Sequence, residues 1–125
     1  MRSEEVGGAT LEHWTPEELR AARDAGEVVV VDVRTVPEYA FERIEGALLA
    51  PMAELDPRSL PTQEGKRIVL HCGSGMRSRK VAETCLAAGF DRIAHLEGGF
   101  GAWKSAKLPY LGTDPATGNA RRAGG

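Results

Sequence analysis

The sequence predicts an α/β fold built on a mainly parallel sheet. Two β-branched runs, "VVVVDVR" from Val28 and "KRIVLHC" ending at Cys72, have the continuous apolar character of strands buried on both faces. Each is followed by a segment with helical grammar, and that alternation is the signature of parallel strands joined by crossover helices. At 125 residues the chain fits one domain, and 42% hydrophobic with 27% charged residues is an ordinary globular balance.

The elements follow in order. The first ten residues, "MRSEEVGGAT", are polar and read as a loose lead-in. In "WTPEELRAARDAG" Thr15 is placed as N-cap, Pro16 at the first helical position and Glu18 to close a capping box. Trp14 and Leu19 are spaced as a hydrophobic staple, and Gly26 suits the stop. After the Val28–Arg34 strand, "VPEYAFERI" reads as a short helix and "GALLAP" as a brief strand halted by Pro51. Pro57 and Pro61 frame a loop, "KRIVLHC" is a second buried strand, and "SRKVAETCLAAGF" is a helix stopped at Gly89. "RIAHLEGG" is a third strand with a glycine turn, and "FGAWKSA" a last short helix. The domain is expected over residues 11–111, with residues 1–10 and 112–125 as flexible or loosely packed tails.

Composition narrows the function classes. A net charge of −2 gives no bulk basic character for nucleic acid or a membrane surface. No apolar run approaches the ~20 residues of a spanning helix, and the first residues lack the apolar core of a secretory signal. Two cysteines are too few for a disulfide scaffold and point to a reducing compartment, with the cytoplasm as the expected location.

The candidate site is "HCGSGMRSR", residues 71–79. Cys72 ends a buried strand, where open α/β sheets place their chemistry. The loop after it runs into a helix N-terminus, which presents backbone N–H groups and a positive dipole end. Gly73 and Gly75 allow consecutive N–H groups to converge as an anion nest, Arg77 adds positive charge, and a thiol in that field ionises more readily than a free cysteine. Cys85 falls with Val81, Ala82 and Leu86 on the apolar side of its helix and reads as a core thiol. It lies about 10 Å along that helix at ~1.5 Å per residue, too far for a bridge to Cys72.

Other signals are weaker. Residues 73–78 imitate a dinucleotide fingerprint with Glu97 downstream, but the third glycine is missing and Arg77 crowds the approach. His13, His71 and His95 have no metal-ligand spacing, so neither metal nor organic cofactor is expected. His71 and His95 end strands and read as packed or hydrogen-bonded. Asp32 and Arg34 end the first buried strand, where they either meet the Cys72 loop or form a local salt bridge with Glu38.

Three segments in the right order resemble the single-domain rhodanese-like sulfurtransferases. They are "VVDVRTVPEYAFERIEGALLAP", "HCGSGMRS" and "LEGGFGAWKSAKLPY", and the resemblance as a whole runs from about Trp14 to Tyr110. The resemblance implies a sheet of about five strands flanked by helices on both faces. It implies that Cys72 accepts a sulfane sulfur as a persulfide and passes it to a thiol or cyanide acceptor. Gly73, Ser74, Gly75, Met76 and Arg77 become the loop that holds the persulfide, Ser78 opens the next helix, and Asp32 and Arg34 match the family's first-strand motif. Glu42-Arg43-Ile44 stands where members often have Gly-His-Ile, so Arg43 either adds positive charge near the site or faces solvent.

Rhodanese-like phosphatases and arsenate reductases use Cys-x5-Arg, whereas four residues separate Cys72 from Arg77. The shorter ring suits one sulfur atom better than a tetrahedral oxyanion. The expected partners are a small anionic donor such as thiosulfate, drawn in by Arg77, Arg79 and Lys80, and a thiol or cyanide acceptor. An alternative reading is a sulfur-carrier module that delivers persulfide sulfur to a docked protein over Met76, Arg79 and Lys80. Neither nucleic acid nor membrane is expected as a partner.

Overall fold

The computed structural model describes residues 1–124. In chain order it contains β1 (Arg2–Val6), β2 (Ala9–Trp14), α1 (Pro16–Asp24), β3 (Val28–Asp32), α2 (Val36–Phe41), β4 (Glu42–Arg43) and β5 (Leu48–Leu49). A short 3₁₀ turn (Pro57–Ser59) follows, then β6 (Arg67–His71), α3 (Met76–Ala87), β7 (Arg92–Leu96), α4 (Gly99–Ser105), β8 (Tyr110–Thr113) and β9 (Ala120–Ala123). The main sheet has the order β1-β2-β7-β6-β3-β5, in which all neighbours are parallel except the β1–β2 edge pair. The α/β class and the mostly parallel sheet are as the sequence predicts, with six strands.

Side-chain alternation sorts the core into two layers. Val28, Val30, Val69, Ala94 and Leu96 pack with α1 and α4 through Leu19, Phe100 and Trp103. Leu11, Val31, Ile68, Leu70 and Ile93 pack on the other face with α3 through Val81, Ala82, Cys85 and Leu86. Adjacent strand residues point to opposite faces, so each buried strand must be apolar at every position. The α1 start has the expected grammar: Thr15 accepts from the Glu18 N–H, the Glu18 carboxylate accepts from the Thr15 N–H, and Gly26 sits at φ +72° after the last turn.

Both ends of the chain depart from the expectation of loose tails. Residues 2–6 form β1, and Gly7 (φ +57°) and Gly8 (φ +86°) make the two-residue hairpin turn that pairs Val6 with Ala9. β1 is an exposed edge strand with little apolar patterning, so its composition resembles coil. β8 and β9 pair with each other, and β8 pairs with β4, to form a small second sheet. β4 also shortens the expected helix after Pro37, which stops at Phe41. Among the described residues no helix is long and apolar enough to cross a membrane.

Candidate active site

Cys72 follows β6 and is buried, its side chain continuing the α3-facing row of Ile68 and Leu70. The loop that follows turns its donors inward. The Gly75 N–H reaches Cys72 Sγ at 3.1 Å and the Ser78 N–H at 3.3 Å, while the Ser78 hydroxyl stands 3.6 Å from the sulfur. Gly75 adopts φ +101°, and a Cβ there would stand 3.2 Å from the Gly98 nitrogen. The loop carbonyls turn the other way, into the start of α4: Phe100 N–H donates to Cys72 O at 2.8 Å and Gly101 N–H to Gly73 O at 3.0 Å. With carbonyls held outside and N–H groups inside, the loop is an anion nest centred on one sulfur.

Burial alone would raise the Cys72 thiol, but hydrogen bonds from Ser78, Gly75 and Ser74 outweigh it and bring the thiol below its ordinary value. Cys85 has only burial acting on it and is pushed up to about 11. Both cysteines are free. Iodoacetamide at neutral pH is therefore expected to modify Cys72 well before Cys85, as peptide mass spectrometry of the folded protein would show. Equal labelling of the two would contradict the electrostatic difference between them.

The charged residues are arranged differently from the expectation. Arg77 donates to both oxygens of Glu38, at 2.8 and 3.0 Å, and holds that carboxyl down to about 2. Its charge is thus compensated, not left free over the loop. Arg79 likewise pairs with Glu4 at 2.8 Å and lies 3.6 Å from Glu83. Asp32 and Arg34 form neither a salt bridge with Glu38 nor a hydrogen bond to the Cys72 loop; they pair with each other at 2.8 Å, and Arg34 also donates to the Glu42 carbonyl. Both are buried. Arg43 packs over the Tyr39 ring and reaches the Tyr39 carbonyl and Thr113 hydroxyl, so it neither serves the site nor simply faces solvent. Met76 is 75% exposed and forms rim, not lining.

His71 points to the opposite face from Cys72, its ring tilted 37° to that of Phe100 at 6.3 Å, and burial lowers its pKa. Its Nε2 lies 3.4 Å from Asp32 Oδ2 and has no hydrogen-bond partner among the described residues. His95 is not an incidental strand end: its Nδ1 meets the Ser78 hydroxyl at 2.9 Å, and its Nε2 meets His13 Nδ1 at 2.9 Å. The parity of Ile93 already sets position 95 on the α3 face, but the parallel register that stands it beside His13 exists only in the folded sheet. Among the described residues no group of three or more His, Cys, Asp or Glu side chains could hold a metal ion.

A family model for the rhodanese-like domain matches residues 15–106. The chain belongs to the rhodanese-like domain family. An uncharacterized protein of Synechocystis is 42% identical over 101 residues, 81% of this chain, and the match spans 56% of that relative's length. A thiosulfate sulfurtransferase of Coxiella burnetii is 36% identical over 76% of this chain and 83% of its own. Among solved structures, a Rhodopseudomonas palustris protein of unknown function, described as a possible tyrosine phosphatase, is 34% identical with a TM-score of 0.65. That alignment covers 77% of this chain and 81% of the other. In this rhodanese-like domain the family segment ends at Ser105-Ala106, so the β8–β9 addition lies beyond the matched residues.

Proposed function

We propose that the protein is a sulfurtransferase that carries a sulfane sulfur on Cys72, from thiosulfate or a persulfide donor to a thiophilic acceptor. The observation that carries this reading is the loop closed around a single atom, with the Gly75 and Ser78 N–H groups aimed at Sγ. The Cys72 thiolate attacks the outer sulfur of thiosulfate, a Cys72 S–S bond forms, and the donor's sulfur–sulfur bond breaks to release sulfite with its electron pair. The persulfide carries the negative charge onward, where the N–H groups of Ser74, Gly75 and Ser78 stabilise it as an oxyanion hole would. Cyanide or a thiolate then attacks the outer sulfur, and the Cys72 thiolate leaves with the bonding pair. Gly73, Ser74, Gly75 and Ser78 bear on the sulfur. Arg34 and Arg77 line a cavity of about 400 Å³ beside Met52 and Pro51, the place for donor and acceptor. Asp32 holds Arg34 in place there.

The competing phosphatase reading is disfavoured by Arg77, which is separated from Cys72 by four residues and has its guanidinium paired with Glu38. Delivery to a docked protein differs only in the acceptor, and a small soluble donor suits the expected cytoplasmic setting. Thiosulfate is expected to convert the protein to a form heavier by one sulfur atom, and cyanide to return it to the starting mass while thiocyanate appears. Intact-mass spectrometry reads both half-reactions. A chain that gains no sulfur, or that hydrolyses aryl phosphates faster than it consumes thiosulfate, would overturn the reading.

A further inference from the structure

Behind the loop, on the side away from the Arg34–Arg77 cavity, an unbroken line of polar groups leads from the thiol to the surface. Cys72 Sγ is 3.6 Å from Ser78 Oγ, which is 2.9 Å from His95 Nδ1. His95 Nε2 is 2.9 Å from His13 Nδ1, and His13 Nε2 is 3.0 Å from Glu4 Oε1. Ser78, His95 and His13 are buried, whereas Glu4 is half-exposed on the edge strand. Four elements supply the line: α3, β7, β2 and β1. The parallel register sets His13 beside His95, and the hairpin turn brings β1 alongside β2, so the line depends on the whole sheet edge.

The outer end fixes the direction of every hydrogen bond. Arg79 donates to both Glu4 oxygens, and with His13 holds that carboxyl at about 2, so Glu4 only accepts. His13 must then donate from Nε2, and a neutral His13 accepts at Nδ1. His95 therefore donates from Nε2 and accepts at Nδ1, where the Ser78 hydroxyl donates at 2.9 Å in preference to the Gly75 carbonyl at 3.3 Å. Ser78 Oγ is left with lone pairs for the Cys72 S–H. All the donors point outward from the thiol.

We propose that Ser78, His95 and His13, anchored by the Glu4 carboxylate, form a proton relay that draws the Cys72 proton away from the loop towards the sheet edge. The transfer balances. The Cys72 proton passes to Ser78 Oγ, the Ser78 proton to His95 Nδ1, and the His95 Nε2 proton to His13 Nδ1. The products are a Cys72 thiolate accepting from Ser78, a neutral His95 with its proton moved to Nδ1, and a His13 imidazolium facing the Glu4 carboxylate. One proton has moved, and no oxidant or further reactant is involved. Burial, with His13 and Arg79 next, brings His95 down to about 4, which suits a carrier that passes a proton on rather than storing it. The donor's approach to the loop then need not share its path with a departing proton. Ser78 touches the reacting sulfur; His95 and His13 act through it as positioning residues.

The relay rests on Cys72 as the reactive thiol, and its test uses alkylation so that it stands apart from sulfur transfer. The fixed charges around the line are Arg2 and Glu97 at its outer flank, Glu83 beside Arg79, and Arg77 and Asp32 at the thiol end. Carboxylates and guanidiniums do not ordinarily titrate between about pH 6 and 9, so an experiment in that window follows the thiol and not the surrounding fixed charges. His95→Gln preserves an acceptor towards Ser78 and a donor towards His13 but cannot carry the proton. In the full chain, iodoacetamide labelling of Cys72 at pH 6.5 is expected to fall about tenfold in His95→Gln, as an upward displacement of one pKa unit produces, and to recover at high pH. His13→Gln should act in the same direction. In the wild-type protein, ¹⁵N spectra should show the His95 proton moving from Nε2 to Nδ1 as Cys72 ionises. Labelling profiles that overlay the wild type, a loss equal at every pH, or a His95 proton that stays on Nε2 would each overturn the relay. If His95→Gln does not fold, His13→Gln and the wild-type spectra decide. A wild-type protein that refuses sulfur but shows the displaced profiles would defeat only the sulfurtransferase reading.

Discussion

Cys72→Ser is expected to abolish sulfur loading and to reduce turnover by a factor on the order of 10³ or more, without unfolding the domain. The substitution keeps nearly the same volume in a buried position that Gly75, Ser78 and Phe100 already enclose with backbone hydrogen bonds. What it removes is the ionisable, polarizable sulfur. The same N–H groups that bring a thiol below its ordinary value cannot bring an aliphatic hydroxyl into the neutral range, so no nucleophile forms. Cys85→Ser is the matched control: it buries a hydroxyl in the α3 core and should cost ~1–3 kcal/mol of stability, with loading intact. Intact mass after thiosulfate exposure, read beside a thermal melt, separates the two. A Cys72→Ser protein that still gains sulfur would place the acceptor elsewhere.

Much of this arrangement was legible in the residues. Strand runs buried on both faces announce themselves because every position must be apolar, and α1 because its capping box and staple use residue types with few other uses at that spacing. The loop that turns its N–H groups onto Cys72 was legible from a cysteine at a strand end followed by glycines and a helix start. Other features were not legible, for definite reasons. β1 and β9 are edge strands satisfied on one side by a neighbour and on the other by solvent, so selection for apolar alternation is absent. The Arg77–Glu38 and Arg79–Glu4 pairs link residues 39 and 75 positions apart, and only the folded topology brings them together. The His95–His13 contact joins two strands 82 positions apart through a parallel register that no local pattern specifies.

Gly99→Ala is expected to reduce the rate of sulfur loading by about a hundredfold, the penalty that a misplacement of ~1 Å at a reacting centre can carry. Gly99 adopts φ +62°, and a Cβ there would stand 2.5 Å from the Cys72 carbonyl oxygen, 2.7 Å from the Gly73 carbonyl carbon and 2.8 Å from its oxygen. All three are backbone atoms of the loop, so no rotamer change relieves the contact. They belong to the same peptide groups that accept from Phe100 and Gly101, which means the methyl wedges apart the seam between α4 and the loop. A loop pushed off α4 carries Gly75 with it, and the Gly75 N–H loses its aim at Sγ. Loading should slow, and the Cys72 thiol should rise towards its ordinary value. The left-handed conformation adds a separate cost of ~1–2 kcal/mol for any side chain. Gly26→Ala isolates that second cost, because Gly26 has φ +72° but nothing within 4 Å of the added methyl, far from the loop at the end of α1. It should lower the melting temperature and leave the loading rate unchanged. Should Gly99→Ala instead melt like Gly26→Ala and load sulfur at the wild-type rate, the seam with α4 would not be what holds the nest around Cys72.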